Sequence, residues 1–198
     1  AAELLSKGYL SEPGVGELII VDVGGATTDL HAVTDGSPEI SRMLVSPEPF
    51  AKRTVEGDLG VYVNRHHVVD QIGIASLERE IPGAEALLPM IGPIPQTTEE
   101  IHLIERLTLE AIRIALDRHA GRLTDLYGPT GRKTIASGKD LTAVRTVIGT
   151  GGALCRLPAG REILKQALHD TMPVEKQIAI IFCGTRGLVK NVPLERMK

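Results

Sequence analysis

LIIVDVGGATTDLHAV, residues 18–33, is the stretch whose reading decides the fold. Its first six residues form an almost unbroken run of Leu, Ile and Val, which reads as a strand buried on both faces. From Thr28 to Val33 polar and apolar residues alternate, the pattern of a second strand. Between the two stand Asp22, Gly24, Gly25, Thr27, Thr28 and Asp29. Paired glycines let backbone amides approach a bulky anion, and can turn successive N–H groups inward to form an anion-binding concavity. Thr27 and Thr28 add hydroxyl donors. Asp22 falls at the carboxyl end of its strand, where α/β proteins place their ligands. A carboxylate beside a polyphosphate calls for a cation between them, and Mg²⁺ commonly sits between one or two carboxylates and phosphate oxygens while keeping several waters. Asp22 therefore reads as the catalytic acid, holding hydrated Mg²⁺ through water or orienting a water itself. A plain glycine hairpin with solvated Asp22 and Asp29 is the alternative; the ATTD that follows the glycines favours the ligand site.

Working outward, residues 1–10 read as a short helix, and the Pro13, Gly14 and Gly16 that follow as a loop. Residues 39–44 are expected to add a third strand to a meander. Residues 59–77 suit a helix, entered through the turn EGDLG. Residues 81–96 contain Pro82, Pro89, Pro93 and Pro95 and read as a long connection. Thr97 and Glu100 have the spacing of a capping box, and an apolar stripe Ile101, Ile104, Leu107, Ala111, Ile114 and Ala115 follows at helical period until Gly121. Residues 143–149 read as a strand ending in GTGG, residues 160–169 as a helix, and QIAIIF as a last strand broken at Gly184. Meander, helix, strand, helix, strand is an α/β order.

In the turn KRTVEGDLG, Glu56, Gly57 and Asp58 are candidates for an anion site at a helix start, with simple N-capping by Asp58 as the alternative. Lys52 and Arg53 either pair with phosphate or are solvated. His66 and His67 point about 100° apart on a helix and do not easily share a metal. His31 and His119 read as structural or surface residues, the latter suited to a helix C-terminus.

The 198 residues suffice for one good-sized domain with its own core. Hydrophobic content of 42% and charged content of 24% are those of an ordinary globular protein. A net charge of −3 argues against nucleic acid as the primary partner. Cys155 and Cys183 are too few for a disulfide framework, and a reducing cytoplasm is expected; a bond between the two is the alternative. No apolar run approaches the roughly 20 residues of a membrane span, so no membrane is expected. The opening AAELLSKGYL lacks the pattern of a signal peptide and reads as the middle of a helix, so the chain is expected to be a piece of a longer protein.

DVGGATTD resembles the second phosphate loop, D-x-G-G-G-T-x-D, of the actin, Hsp70 and sugar-kinase ATPase superfamily. Asp22, Gly24, Gly25, Thr27 and Asp29 match it, and Ala26 stands where the third glycine is usual. TVIGTGGALCRLP resembles the superfamily's adenosine motif at Gly149, Gly151 and Gly152, with Ala153 beside them. Arg156 lies one residue further from the glycine pair than that motif suggests for a residue stacking on the base. No match to the first phosphate loop is present. The resemblance thus implies the second domain of an actin-like (ribonuclease H-like) ATPase: a mixed sheet with an antiparallel meander and flanking helices. Residues 1–16 would precede a core at 17–169, with an atypical region at 170–198. It also implies ATP and Mg²⁺ as cofactors, gripped jointly with the protein's own N-terminal domain, and ATPase activity only in the two-domain protein.

VDVGGATTDLH, KRTVEGDLG, RHAGR and GKDLTAVRTVIGTGGALCRLPAGREIL together resemble a narrower family, MutL. Its members are accessory proteins encoded beside adenosylcobalamin-dependent glutamate (methylaspartate) mutase, and share only a name with the mismatch-repair protein. This resemblance implies an Hsp70-like reactivating or accessory chaperone whose partner is the mutase. An acetate- or sugar-kinase-like phosphotransferase and a non-enzymatic assembly module are the two other readings.

Overall fold

A computed structural model describes residues 1–129, 131–171 and 179–182. The chain runs through α1 (Ala2–Lys7), a small hairpin β1 (Gly8–Tyr9) and β2 (Glu12–Pro13), then β3 (Leu18–Val23) and β4 (Thr28–Val33). After these come α2 (Pro38–Ser41), β5 (Ala51–Glu56), α3 (Arg65–Ile72), α4 (Ile74–Glu80) and α5 (Ala84–Leu87), which passes into a 3₁₀ turn at Leu88–Met90. The long α6 (Thr98–His119) precedes a hairpin of β6 (Arg122–Gly128) and β7 (Gly131–Ser137), then β8 (Thr146–Thr150), α7 (Gly152–Arg156), α8 (Gly160–Thr171) and β9 (Ala179–Phe182).

One five-stranded sheet, ordered β5-β4-β3-β8-β9, organises the molecule. β3, β4 and β5 form an antiparallel meander. β8 joins β3 in parallel and β9 joins β8 in parallel. The fold is thus mixed α/β, with the strand that ends in GTGG beside the strand that ends at Asp22. Both faces of β3 are covered, which is why it reads as an almost unbroken apolar run. Ile19, Val21, Val23, Leu30 and Ala32 face the main core, where Leu103, Leu107, Ala111 and Ala115 of α6 and Leu164 and Ala167 of α8 pack. Leu18, Val33 and Ile148 face the other way, under Ala2 of α1 and Phe50.

The third meander strand is not residues 39–44. Pro38 holds the first position of α2, and the Ser37 hydroxyl accepts from the Ile40 amide at 3.2 Å, so those residues begin a helical turn. The strand is β5 instead, an edge strand whose side chains are all partly exposed and so lack apolar alternation. The helix expected at 59–77 starts only at Arg65 and is broken at Gly73, whose φ of 81° suits glycine. Residues 81–96 contain α5 and the 3₁₀ turn. β8 begins later than expected, at Thr146, and the β6–β7 hairpin was not foreseen. The Gly184 break and Cys183 lie outside the described residues. No helix among the described residues is long and apolar enough to cross a membrane.

The capping box is present: the Thr97 hydroxyl accepts from the Glu100 amide at 3.2 Å and the Glu100 carboxylate accepts from the Thr97 amide at 3.4 Å. Thr97→Ala is expected to cost about 1 kcal/mol. Urea denaturation checks this, and a loss below roughly 0.3 kcal/mol would show that water replaces the cap.

Candidate functional site

The strand register brings the two glycine motifs to one end of the sheet. Asp22 pairs across with Thr150, and Thr28 with Glu56, so the bend, the 56–58 turn and the GTGG turn share the carboxyl ends of β3, β5 and β8. Contact is direct. Gly151 has φ of 87°, and a Cβ placed there would overlap the Asp22 Oδ1 and the Val23 backbone. Only glycine closes this junction. Gly152 and Gly57 face open space, and a Cβ on Gly25 would come 3.3 Å from Cβ of Tyr62. Gly149 lies lower, buried inside β8 opposite Val21, where it belongs to the sheet rather than the rim.

The bend is braced from outside by residues 60–64. The Gly24 carbonyl accepts from the Val61 amide at 3.2 Å, and the Gly25 carbonyl accepts from Tyr62 and Val63 at 2.9 and 2.7 Å. The Asn64 side chain donates to the Ala26 carbonyl at 2.8 Å and to the Gly57 carbonyl at 2.6 Å. A Cβ on Gly60 would collide with the Gly25 and Ala26 backbone, so this brace fits only through another glycine. Among the described residues no acceptor bonds the amides of Gly25, Ala26 or Thr27.

The acids at this end fall into two sets. Asp22 is half-buried, and no donor among the described residues bonds its carboxylate. Burial, and then the neighbouring Asp29 charge, push its pKa above the usual carboxylate value, with Arg53 pulling the other way. Asp29 accepts from the Thr27 hydroxyl at 3.0 Å and from Arg53 at 2.8 Å. Glu56 and Asp58, by contrast, are gripped by Arg118 of α6 at 2.7 Å and, in bidentate fashion, at 2.8 and 2.9 Å. That hydrogen bonding holds Asp58 below its usual pKa and raises that of Arg118. Asp58 therefore does not cap a helix, because α3 starts only at Arg65 with Asn64 in the capping position. Thr28 is fully buried and its hydroxyl donates to the Leu59 carbonyl at 2.7 Å, so Thr27 alone presents a hydroxyl in the bend. Lys52 pairs with Glu48 at 3.0 Å. Of the two readings of His119 the structure gives the structural one: it is completely buried at the end of α6. Among the described residues no three His, Cys, Asp or Glu side chains gather as metal ligands. A metal at this end of the sheet would rest on Asp22 and on the oxygens of its own ligand.

A cleft of about 180 Å³ opens between the motifs. Gly25 and Tyr62 line one side, Ile94 and Pro95 another, and Ala153 and Arg156 a third. Its walls are mostly apolar, and Arg65 steadies one of them, its guanidinium 5.4 Å from the Tyr62 ring and donating to the Ile91 carbonyl at 2.9 Å. Tyr62, Asn64 and Arg118 were not singled out from the sequence. An Asn in the turn before a helix was a readable capping signal for Asn64, whereas nothing local marks Arg118, whose partners lie about 60 residues away.

The model of the MutL protein family matches residues 1–180. Protein MutL of Clostridium tetanomorphum is 39% identical over 180 residues, covering 86% of this chain and 39% of that protein. The chain thus spans about two fifths of that relative's length. The alpha subunit of ATP synthase from Flavobacterium johnsoniae is 54% identical over 37 residues, 19% of this chain and 7% of that protein. Among solved structures, ethanolamine utilization protein EutJ from Carboxydothermus hydrogenoformans aligns with 13% identity and a TM-score of 0.34, covering 85% of this chain and 45% of that one.

Proposed function

The chain belongs to the MutL protein family, and on that premise we propose that it is the nucleotide-binding half of an accessory ATPase serving an adenosylcobalamin-dependent glutamate mutase in the cytoplasm. The observation that carries this reading is the junction of Gly151 with Asp22, which sets two glycine motifs from distant parts of the chain around one cleft.

The residues fit Mg²⁺-ATP. The unbonded amides of Gly25, Ala26 and Thr27 suit phosphate oxygens. Asp22 suits a hydrated Mg²⁺ between itself and those oxygens, since no donor among the described residues bonds its carboxylate. The apolar cleft between Tyr62 and Ala153 suits a nucleobase, with Arg156 on its wall for stacking. Bound Mg²⁺ would supply charge neutralisation on the phosphates. Glu56 and Asp58, already neutralised by Arg118, frame the site rather than contact the nucleotide.

Calorimetry of the complete protein with Mg²⁺-ATP, followed by turnover assays with and without the mutase, tests the reading. Binding is expected, with turnover raised when mutase carrying damaged cobalamin is added. Absence of ATP binding by the complete protein would sink the reading. Phosphoryl transfer to acetate or a sugar would replace it with a phosphotransferase.

A further inference from the structure

We propose that Asn64 is a positioning residue that sets the anion-binding face of the glycine bend. The inference rests on the nucleotide reading above and adds the residue that makes the bend competent. Among the described residues there are no cis peptide bonds. In a planar trans peptide the C=O of one residue and the N–H of the next point in opposite directions. The Gly24 and Gly25 carbonyls are held by the amides of Val61, Tyr62 and Val63, and the Ala26 carbonyl by the side chain of Asn64. Three consecutive peptides are therefore turned the same way, and the N–H groups of Gly25, Ala26 and Thr27 all face away from residues 61–64. Backbone donors fix the first two of these planes. The third depends on one side chain, which is anchored at its other end to the Gly57 carbonyl.

Asn is suited to this task, because its terminal amide carries two donors and can serve both carbonyls at once. Asp has the same shape with no donors when ionised, and would set a negative charge against two carbonyl oxygens. Without Asn64 the Ala26–Thr27 peptide can flip, turning a carbonyl toward the phosphate where an N–H is required.

The test is calorimetry of the complete protein with two probes, Mg²⁺-ATP and adenosine, on wild type, Asn64→Ala and Asn64→Asp. Ser37→Ala serves as a control for general destabilisation, since Ser37 caps α2 away from the cleft. Asn64→Ala is expected to raise the dissociation constant for Mg²⁺-ATP about tenfold, and Asn64→Asp more. Adenosine, which has no phosphate to meet the bend, should bind all three proteins alike, and Ser37→Ala should match wild type with both probes. An unchanged Mg²⁺-ATP constant in Asn64→Ala, or equal weakening toward both probes, would overturn the positioning role. Failure of the wild type to bind Mg²⁺-ATP would overturn the nucleotide reading and this role with it, and is seen before any variant is compared.

Discussion

Asp22→Asn is expected to lower Mg²⁺-dependent ATP turnover by the complete protein about a hundredfold, with its melting temperature unchanged or slightly raised. The substitution keeps shape and removes charge at the carboxyl end of β3. The sign of the stability effect follows from the pKa. Burial and Asp29 place the folded-state pKa above the usual 3.8, so the folded chain holds the proton more tightly than the unfolded one. As pH rises through that value the carboxylate ionises at a cost to stability. At neutral pH the cost is fully present, and an amide removes it. A purely structural carboxylate would behave in the opposite way, because its loss would lower the melting temperature along with activity. Turnover, its Mg²⁺ dependence and a thermal melt are measured on the same preparation. Wild-type turnover with an unaltered Mg²⁺ requirement would end the assignment of Asp22 to the metal.

What could be read from the sequence was what local chemistry encodes. The run at Leu18–Val23 and the Thr97–Glu100 box each fix structure through neighbours a few residues away, and each stands where it was expected. The third strand was misplaced because β5 lies at the sheet edge, where partial exposure of every residue erases the alternation that marks a half-buried strand. The β6–β7 hairpin carries a local turn signal, since Gly128, Pro129 and Gly131 punctuate two runs of equal length. Other features were beyond reach. Arg118 neutralises Glu56 and Asp58 only because α6 returns across β5, and Asn64 braces the bend only because residues 60–63 fold back onto it. Both sets of contacts join residues that no spacing rule brings together.

Stability of this domain is expected to fall as pH drops from about 6.5 toward 4, with His119 supplying about 2 kcal/mol of the loss by pH 5. His119 closes α6 and is fully buried. Its Nδ1 lies 2.9 Å from the Thr54 hydroxyl of β5, and its Nε2 is buried with no partner among the described residues. Burial is the main reason its pKa is lowered from 6.5 to about 4. The charged groups around it add to this: Lys52 of β5, Lys139 after β7 and His31 of β4 lower it, and Glu48 opposes them. Lys139 is itself buried, donating to the Thr34, Pro49 and Phe50 carbonyls at 2.6, 2.6 and 3.2 Å, so it cannot swing away to relieve a second cation. Because the folded pKa lies below the unfolded one, the unfolded chain takes up the proton first. The contribution is therefore complete above pH 6.5, declines between 6.5 and 4, and changes no further below that. His119→Leu should flatten this part of the profile, whatever its effect on stability at neutral pH, because carboxylates such as Asp58 and Asp140 titrate at lower pH in both proteins. Urea midpoints at half-unit steps from pH 7 to 4.5 decide the matter, and parallel profiles for wild type and variant would show that His119 carries no such linkage. The same titration bears on the site, since the Arg118 that grips Glu56 and Asp58 is the residue before His119.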